Sequence, residues 1–276
     1  MIKKKVLIVV LSLLMVLSMA ACSKDVDREK LSKDTIDNLS NLSSYSSHIE
    51  LDLSITSGKS DNIEMSMKAD QRAIRNPDEL MEVIANIKFK LMGMKKEFDK
   101  KLYSEATAGG VNIYSLENGQ WSKLNENGLE NIQQFDPMDS ITEYLKSLDK
   151  FKQAGTEKIN GVNTVKFEGV MNTDALKNII TEDILEDATG LDLGDLDNVA
   201  EALDESEGVP ITIWIDTEKA LPLQFTVDFS QVLDTVLSQM NNGGEEVKTE
   251  KATVKIIMTG YDNVKDIVIP DEAKNA

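Results

Sequence analysis

The feature that most constrains the fold is an alternation of apolar and polar residues with a period of two. It starts over residues 49–56, where every second residue is apolar, and returns over 63–70 and 80–92. Side chains of a strand point alternately to opposite faces of a sheet, so this period predicts strands with one apolar face. A fourth strand is expected over 96–106, after a turn at Gly93.

Hairpin signals extend the strand pattern towards the C-terminus. Two Asn-Gly pairs, at 118–119 and 160–161, each stand between segments typical of strands and predict tight hairpins. A further hairpin is expected around residues 217–220, and a long strand over 247–260. The sum is about ten strands, mostly in up-and-down order.

Three other segments have the period of an amphipathic helix. Apolar residues recur at helical spacing over 27–44 and over 137–151, and a shorter helix is expected at 172–180. Residues 232–240 fit either a helix or a continuation of the preceding strand. The predicted fold class is α+β: a curved antiparallel sheet, an unclosed half-barrel of about ten strands, with two or three helices on its concave side.

The N-terminus has the parts of a secretion signal in order. A basic start at Lys3–Lys5 precedes an apolar stretch from Val6 to Leu17, and small residues follow. Met19-Ala20-Ala21-Cys22 resembles a lipobox, with Met19 where Leu is usual. Proteins with this motif receive a diacylglycerol on the cysteine sulfur, and cleavage then frees its amine. We therefore expect a signal peptide over 1–21 and lipidation at Cys22.

Lipidation implies export to the outer face of the cell membrane. An uncleaved transmembrane anchor is the weaker alternative, because the apolar stretch is close to the lower length limit for a span. Two or three acyl chains hold a protein firmly on a membrane. Residues 22–28 would form a tether, and no linker divides 29–276, which we interpret as a single domain.

The net charge limits the partners that the chain can have. It is −18 for the whole sequence, and −21 once Lys3–Lys5 are removed with the signal peptide. Such a protein is repelled by nucleic acids, so we exclude nucleic-acid binding. The single cysteine is Cys22, so no internal disulfide can form and the core must provide the stability.

An acidic insertion at 181–207 contains eleven Asp or Glu residues and neither Lys nor Arg. Its apolar residues still recur at helical spacing, which indicates an acidic amphipathic helix or a flap. Four carboxylates offer oxygen ligands for Ca²⁺, but no twelve-residue calcium loop fits their spacing; these are Asp187, Asp192, Asp195 and Asp197. We therefore interpret the segment as a solvated acidic face and predict no metal site.

Four motifs together resemble the LolA/LppX/RseB-like superfamily. Residues 209–216 (VPITIWID), followed by Leu221-Pro222-Leu223, are similar to the strand–turn–strand of that superfamily. Residues 155–162 and 114–121 are similar to two of its hairpins, and 269–273 to its usual end. Uncharacterised lipoproteins of low-GC Gram-positive bacteria are the most similar in character. The acidic insertion is not part of the superfamily pattern.

The resemblance implies a half-barrel whose helices plug the concave side and leave a cavity that holds acyl chains. We therefore expect a non-enzymatic lipoprotein that binds or carries a lipid or another apolar ligand. The methionines on the predicted strands would suit such a cavity, since Met adapts to varied apolar partners. The candidate lining residues are Ile49, Leu51, Leu53, Met65, Met67, Val83, Ile87, Phe89, Ile213, Phe225 and Val227.

No set of residues indicates catalysis or a cofactor. The one histidine, His48, is expected at the surface of a strand, and the one cysteine is used for lipidation. Ser147-Leu148-Asp149-Lys150 matches an S-x-x-K motif, but the companion K-T-G is absent. The alternative function is an envelope protein-interaction or stress-sensing module that binds a partner through 181–207. A cell-wall hydrolase is a weaker third hypothesis, because no carboxylate pair is specific enough to name.

Overall fold

Eleven strands form one antiparallel sheet in this chain. The computed structural model describes residues 25–58, 61–76, 79–91, 93–107, 110–124, 137–171, 208–240 and 247–276. The predicted signal peptide, Cys22, the helix expected at 172–180 and the acidic insertion at 181–207 lie outside the described residues. No helix in the described ranges is both long enough and apolar enough to cross a membrane.

The strands and helices are bounded as follows. The strands are β1 (Ser44–Ser57), β2 (Asp61–Ile74), β3 (Leu80–Leu91), β4 (Met94–Thr107), β5 (Gly110–Glu117), β6 (Gln120–Leu124), β7 (Lys152–Ile159), β8 (Val162–Met171), β9 (Val209–Asp216), β10 (Leu221–Asp228) and β11 (Val247–Tyr261). The helices are α1 (Arg28–Ser40), α2 (Pro137–Leu145), α3 (Ser230–Met240) and the short α4 (Asp271–Lys274), with a 3-10 turn at Leu148–Lys150.

The strand order shows that the sheet is open. It runs β6-β5-β4-β3-β2-β1-β11-β10-β9-β8-β7. The chain enters at the middle strand β1, meanders out to the edge at β6, continues through α2 to the opposite edge at β7, and returns to β11 beside β1. The two edge strands do not pair with each other, and three longer helices lie in the described residues. The predicted α+β fold, an unclosed half-barrel with two or three helices, is therefore confirmed.

Local turn chemistry explains the tight hairpins. Asn118 and Gly119 have φ of 52° and 80°, and Asn160 and Gly161 have φ of 51° and 84°. Two successive left-handed residues make a turn whose twist matches that of the flanking strands, and Asn-Gly adopts this conformation at low cost. Both predicted hairpins therefore lie where the Asn-Gly pairs placed them.

Tertiary contacts move some element boundaries away from those expected. The first helix ends at Ser40 and not at 44, and β1 begins at Ser44 and not at 49. Asp262 Oδ1 accepts hydrogen bonds from the backbone N–H and the hydroxyl of Ser43, at 2.8 and 2.7 Å. β2 and β11 then pair with both sides of β1 from Tyr45 onwards, so a polar segment becomes strand.

Two other helical segments are decided by burial. The helix expected over 137–151 ends at Leu145, and the tighter 3-10 turn that follows buries Leu148 and Phe151 in the same core. Residues 230–240, which the sequence left open between helix and strand, form α3. Val232 and Val236 are one helical turn apart, and both are buried against the sheet.

One face of the sheet, which we call the inner face, carries the main core. α1 and α2 contact each other and cover the inward side chains at one end of β8 to β11. Leu39, Leu145, Phe167 and Ile213 are at most 1% exposed. The inward row continues through Tyr45 of β1, which is fully buried. Helices therefore cover part of the inner face, and the core lies between them and the sheet.

The C-terminal segment covers part of the opposite, outer face. Ile267, Ile269 and Ala273 are buried against Tyr103 and Tyr114 in a second, smaller core. The local sequence pattern did not predict this second core. Its apolar residues stabilise the outer side of β4 and β5. In the described part of the chain, no helix of the first 240 residues covers that side.

Charged side chains on the outer face form ion pairs across strands. Glu82, which is 5% exposed, accepts a 2.7 Å hydrogen bond from Nε of Arg72 and lies 2.9 Å from Nζ of Lys101. Burial raises the pKa of the Glu82 carboxyl, but the hydrogen bonds from Lys101, Arg72 and Tyr103 outweigh burial and lower this pKa below its ordinary value of 4.5.

Substitution in the core tests the packing of the inner face. Phe167→Ala is expected to lower the free energy of unfolding by about 3–5 kcal/mol, because a buried ring is lost and a cavity remains. Urea unfolding followed by circular dichroism measures this change. Val170→Ala, in the same strand at a side chain that is 58% exposed, should cost less than about 1 kcal/mol. Equal losses in the two variants would contradict the assigned core.

The Glu82 ion pairs predict a pH-dependent contribution to stability. The folded-state pKa is lowered, so the contribution is complete above the unfolded-state pKa and is lost as pH falls through the folded-state value. Glu82→Gln should therefore reduce the free energy of unfolding by about 1–2 kcal/mol at neutral pH, and by less below about pH 4.5. Urea unfolding at both pH values measures this.

The matched control for Glu82 is Glu97→Gln. Glu97 pairs with Lys88 on the same face, but its side chain is 57% exposed and water screens the pair. A much smaller effect is expected at both pH values. A Glu97→Gln effect as large as that of Glu82→Gln would show that burial does not distinguish the two ion pairs.

Candidate functional site: an apolar trough on the inner face

The inner face extends beyond the part that α1 and α2 cover. Leu51, Met67 and Ile87 lie directly across from one another on three adjacent strands, and so do Leu53, Met65 and Phe89. All six are half-buried. We call the whole strip the apolar trough, and its residues are Ile49, Leu51, Leu53, Ile55, Ile63, Met65, Met67, Val83, Ile87, Phe89, Leu91, Phe98, Leu102, Val254 and Ile256.

The regular register of the central strands produces this strip. β2 pairs with β1 and with β3 without a shift, and β3 pairs with β4 in the same way. Rows of inward side chains therefore stay aligned across four strands. β1 and β11 show irregularities at Ser46/Ser47, just before the trough residues of β1 begin, and at Ser54/Ile55, near their other end. Such irregularities increase local twist, and a twisted sheet of many strands curls around its inner face.

The reverse side of the same strands is charged. Lys251 lies 2.5 Å from Asp52, and Lys90 lies 2.5 Å from Glu64. A groove of about 550 Å³ lies at this end of the sheet, and most of its lining residues belong to the charged outer face. It is therefore a poor site for an apolar ligand, and the trough is the better candidate.

The structure separates the predicted cavity residues into two groups. Eight lie in the apolar trough: Ile49, Leu51, Leu53, Met65, Met67, Val83, Ile87 and Phe89. The other three, Ile213, Phe225 and Val227, belong to the core under the helices, and their exposed fractions are 0%, 2% and 9%. Contact of any of them with a ligand stays a prediction. Cys22 lies outside the described residues.

On β1 and β2, a buried polar cluster lies between the main core and the apolar trough. Ser47 Oγ donates to Oε1 of Gln71 at 3.2 Å, and Nε2 of Gln71 donates to the hydroxyl oxygen of Tyr45 at 3.3 Å. The same Nε2 lies 3.0 Å from the sulfur of Met81. The sequence analysis missed this cluster, although Ser47 and Gln71 are polar residues at inward positions of the alternation.

In the described part of the chain, the residues that the sequence offered as catalytic candidates do not form a known catalytic arrangement. His48 lies on the outer face, where its Nδ1 is 2.8 Å from Asp70 Oδ1 in an exposed pair. No group of three or more His, Cys, Asp or Glu side chains suited to a metal ion occurs in the described ranges. What the trough can do chemically is exclude water from apolar groups laid along it.

The polar cluster can be tested by removing one or both partners. Gln71→Met keeps a similar volume but leaves the buried Ser47 hydroxyl without its acceptor, which should cost about 1–2 kcal/mol in urea unfolding. Gln71→Met with Ser47→Ala replaces both partners by apolar groups and should recover part of this loss. A double variant that is less stable by the sum of the two single losses would argue against a coupled cluster.

Comparison with solved structures finds similar folds at low identity. The crystal structure of LprF from Mycobacterium bovis is 16% identical, with a TM-score of 0.49 over 90% of this chain and 97% of that chain. Lipoprotein LppX from Mycobacterium tuberculosis is 14% identical, with a TM-score of 0.47 over 88% and 100%. A Vibrio parahaemolyticus domain described as an outer membrane lipoprotein-sorting protein is 10% identical, with a TM-score of 0.26 over 90% and 98%.

The strand order by itself confirms the open half-barrel that the sequence predicted. No curated protein matches the chain in sequence. A family model matches residues 27–276, which cover all but the first two of the described residues. The chain therefore belongs to the family of unknown function DUF6612.

Proposed function

We propose that this protein binds a lipid or another apolar ligand on the apolar trough, while a lipid on Cys22 anchors it to the outer face of the cell membrane. One observation carries the proposal. Large apolar side chains line five adjacent strands in aligned rows and stay half-buried, whereas the inward rows under the helices are almost fully buried.

The energetics favour an apolar occupant. Contiguous apolar surface is uncommon on soluble proteins and usually marks a binding site. Covering it with an acyl chain gains about 25 cal/mol for each Å² removed from water. Met65 and Met67 lie in the middle of the trough, and methionine adapts to apolar partners of different shape.

The anchoring part of the proposal depends on the sequence. Residues 1–22 have the order of a secretion signal followed by a lipobox-like motif. α1 begins at Arg28, so only a short segment separates Cys22 from the folded part. A protein held in this way would keep the trough close to the membrane from which a lipid is taken. The sequence motifs also support an exported protein of a Gram-positive bacterium.

The first experiment asks whether the protein carries an apolar ligand. Residues 23–276, which include every helix and strand described, are purified without detergent, extracted with organic solvent and analysed by mass spectrometry. We expect an acyl-chain species in a fixed ratio to the protein. An empty extract, together with no uptake of added lipid, would overturn the proposal and favour the partner-binding alternative.

A charge in the trough should abolish ligand binding. Leu51→Glu places a carboxylate against the ligand, and burying it without a partner should weaken lipid affinity by at least about tenfold. Ile84→Glu is the matched control, because Ile84 is 46% exposed on the outer face of the same sheet. Lipid bound per protein is measured for both after circular dichroism confirms folding. Equal losses, or none, would place the ligand elsewhere.

A further inference from the structure

Two lysines interrupt the apolar character of the inner face. Among the described side chains of β1 to β4, the charged ones that face inward are Lys96 and Lys100, both on β4. Every acidic side chain described on these strands faces the outer side, in a protein whose net charge is −18. The inner face therefore has two positive charges at one side of an otherwise apolar strip.

Both lysines border the apolar trough directly. Lys96 lies across from Phe89, and Lys100 lies across from Ala85. Phe98, a trough residue, is between them on the same strand and faces the same way. Four residues of extended strand separate their Cα atoms by roughly 13 Å. Since each lysine has a flexible four-carbon stem, both ammonium groups can reach one anion above Phe98.

Neither lysine has an ion-pair partner among the described residues. Two neighbouring lysines on the outer face differ, since Lys88 pairs with Glu97 at 3.3 Å and Lys90 pairs with Glu64 at 2.5 Å, whereas Lys95 has no ion pair among the described residues. Glu117 of β5 lies across from Lys100, but it is exposed and no described ion pair joins the two. Lys96 is exposed and Lys100 is half-buried. Their charges are thus available to an anion that comes from outside the protein.

We propose that the ligand of the apolar trough is an anionic lipid, whose acyl chains lie on the trough and whose phosphate headgroup binds Lys96 and Lys100. This inference rests on the proposed function and names the class of its ligand. Charge complementarity supports it, because the acidic remainder of the protein repels anions. Among the described side chains on the inner face of β1 to β4, the cations without an ion pair are those at the border of the trough. Lysine binds phosphate as a compact point charge.

The experiment measures which lipid the protein takes from a mixed membrane. Residues 23–276 are incubated with vesicles of equal parts dioleoyl phosphatidylglycerol and dioleoyl phosphatidylcholine. The vesicles are removed by centrifugation, and lipid in the protein fraction is quantified by mass spectrometry. The acyl chains are identical, so the ratio of the two bound lipids reports the headgroup alone. We expect phosphatidylglycerol to exceed phosphatidylcholine by about tenfold, because the quaternary ammonium of phosphatidylcholine cancels the phosphate charge and is repelled by the two lysines.

Substitution of the lysines tests their role directly. Lys96→Gln with Lys100→Gln should bring the ratio close to one and leave the total bound lipid within about twofold, since the trough is unchanged. Lys68→Gln with Lys95→Gln is the control; it removes the same charge from the outer face and should keep the preference. Lys68 and Lys95 are exposed, and neither belongs to the trough.

The outcomes separate the two proposals. Equal uptake of both lipids by the unmodified protein, or an unchanged preference in the Lys96 and Lys100 variant, would overturn the anionic-lipid assignment and leave the trough as an apolar site. Loss of the preference in the outer-face control as well would assign it to overall charge, which also overturns the role of these two lysines. Failure to take up either lipid would overturn the anionic-lipid assignment, and together with an empty solvent extract it would overturn the proposed function as well.

Discussion

The pairing of β1 with both β2 and β11 holds the whole sheet together. β1 is the first strand of the chain and β11 the last, yet they are neighbours from Tyr45 to Ser57. On one side of this junction lie β2 to β6, and on the other lie β10 to β7. Without it, the sheet would separate into two halves, and no continuous inner face would exist. Because the paired residues are about two hundred positions apart in the sequence, closing this pair costs considerable chain entropy.

The two halves of the inner face differ in what covers them. In the core to which α1, α2 and α3 contribute, Phe167, Ile213 and Phe225 are almost completely buried, and on β1 and β2 a Ser47–Gln71–Tyr45 cluster forms its border. Beyond that border the aligned rows continue with the same chemistry but remain half-buried. A sheet that packed only for stability would gain by covering these rows, since each exposed apolar group forfeits transfer free energy. The half-buried rows are what connect the fold to the proposed ligand.

The outer face serves a different purpose in the same strands. Its cross-strand ion pairs and the C-terminal segment around Ile267 and Ile269 stabilise the sheet from behind. Pairs with exposed lysines contribute little individually, whereas Glu82 is buried and contacts two cations. No carboxylate in the described part of the chain pairs with the lysines on the inner side of β4, so the border of the trough carries positive charge beside its apolar residues.

The strands, the side of each strand that is apolar, and the tight hairpins were determined by the sequence itself. They depend on local rules: a period of two over 49–56, and left-handed turn residues at Asn118-Gly119 and Asn160-Gly161. Eight of the eleven predicted cavity residues lie in the apolar trough for the same reason, because alternation assigns each of them to the inner face. The local pattern could not show which part of that face the helices would cover.

Tertiary structure alone decided the remaining features. Ile213, Phe225 and Val227 have the same alternation as Leu51, yet they are buried in the core to which α1, α2 and α3 contribute. Asp262 extends β1 back to Ser44 through hydrogen bonds from a residue more than two hundred positions away. Lys96 and Lys100 became candidate ligand contacts only when the register of β4 placed them beside Phe89 and Ala85. Such pairings join residues that are distant in the sequence, and a local pattern contains no information about which distant residues will meet.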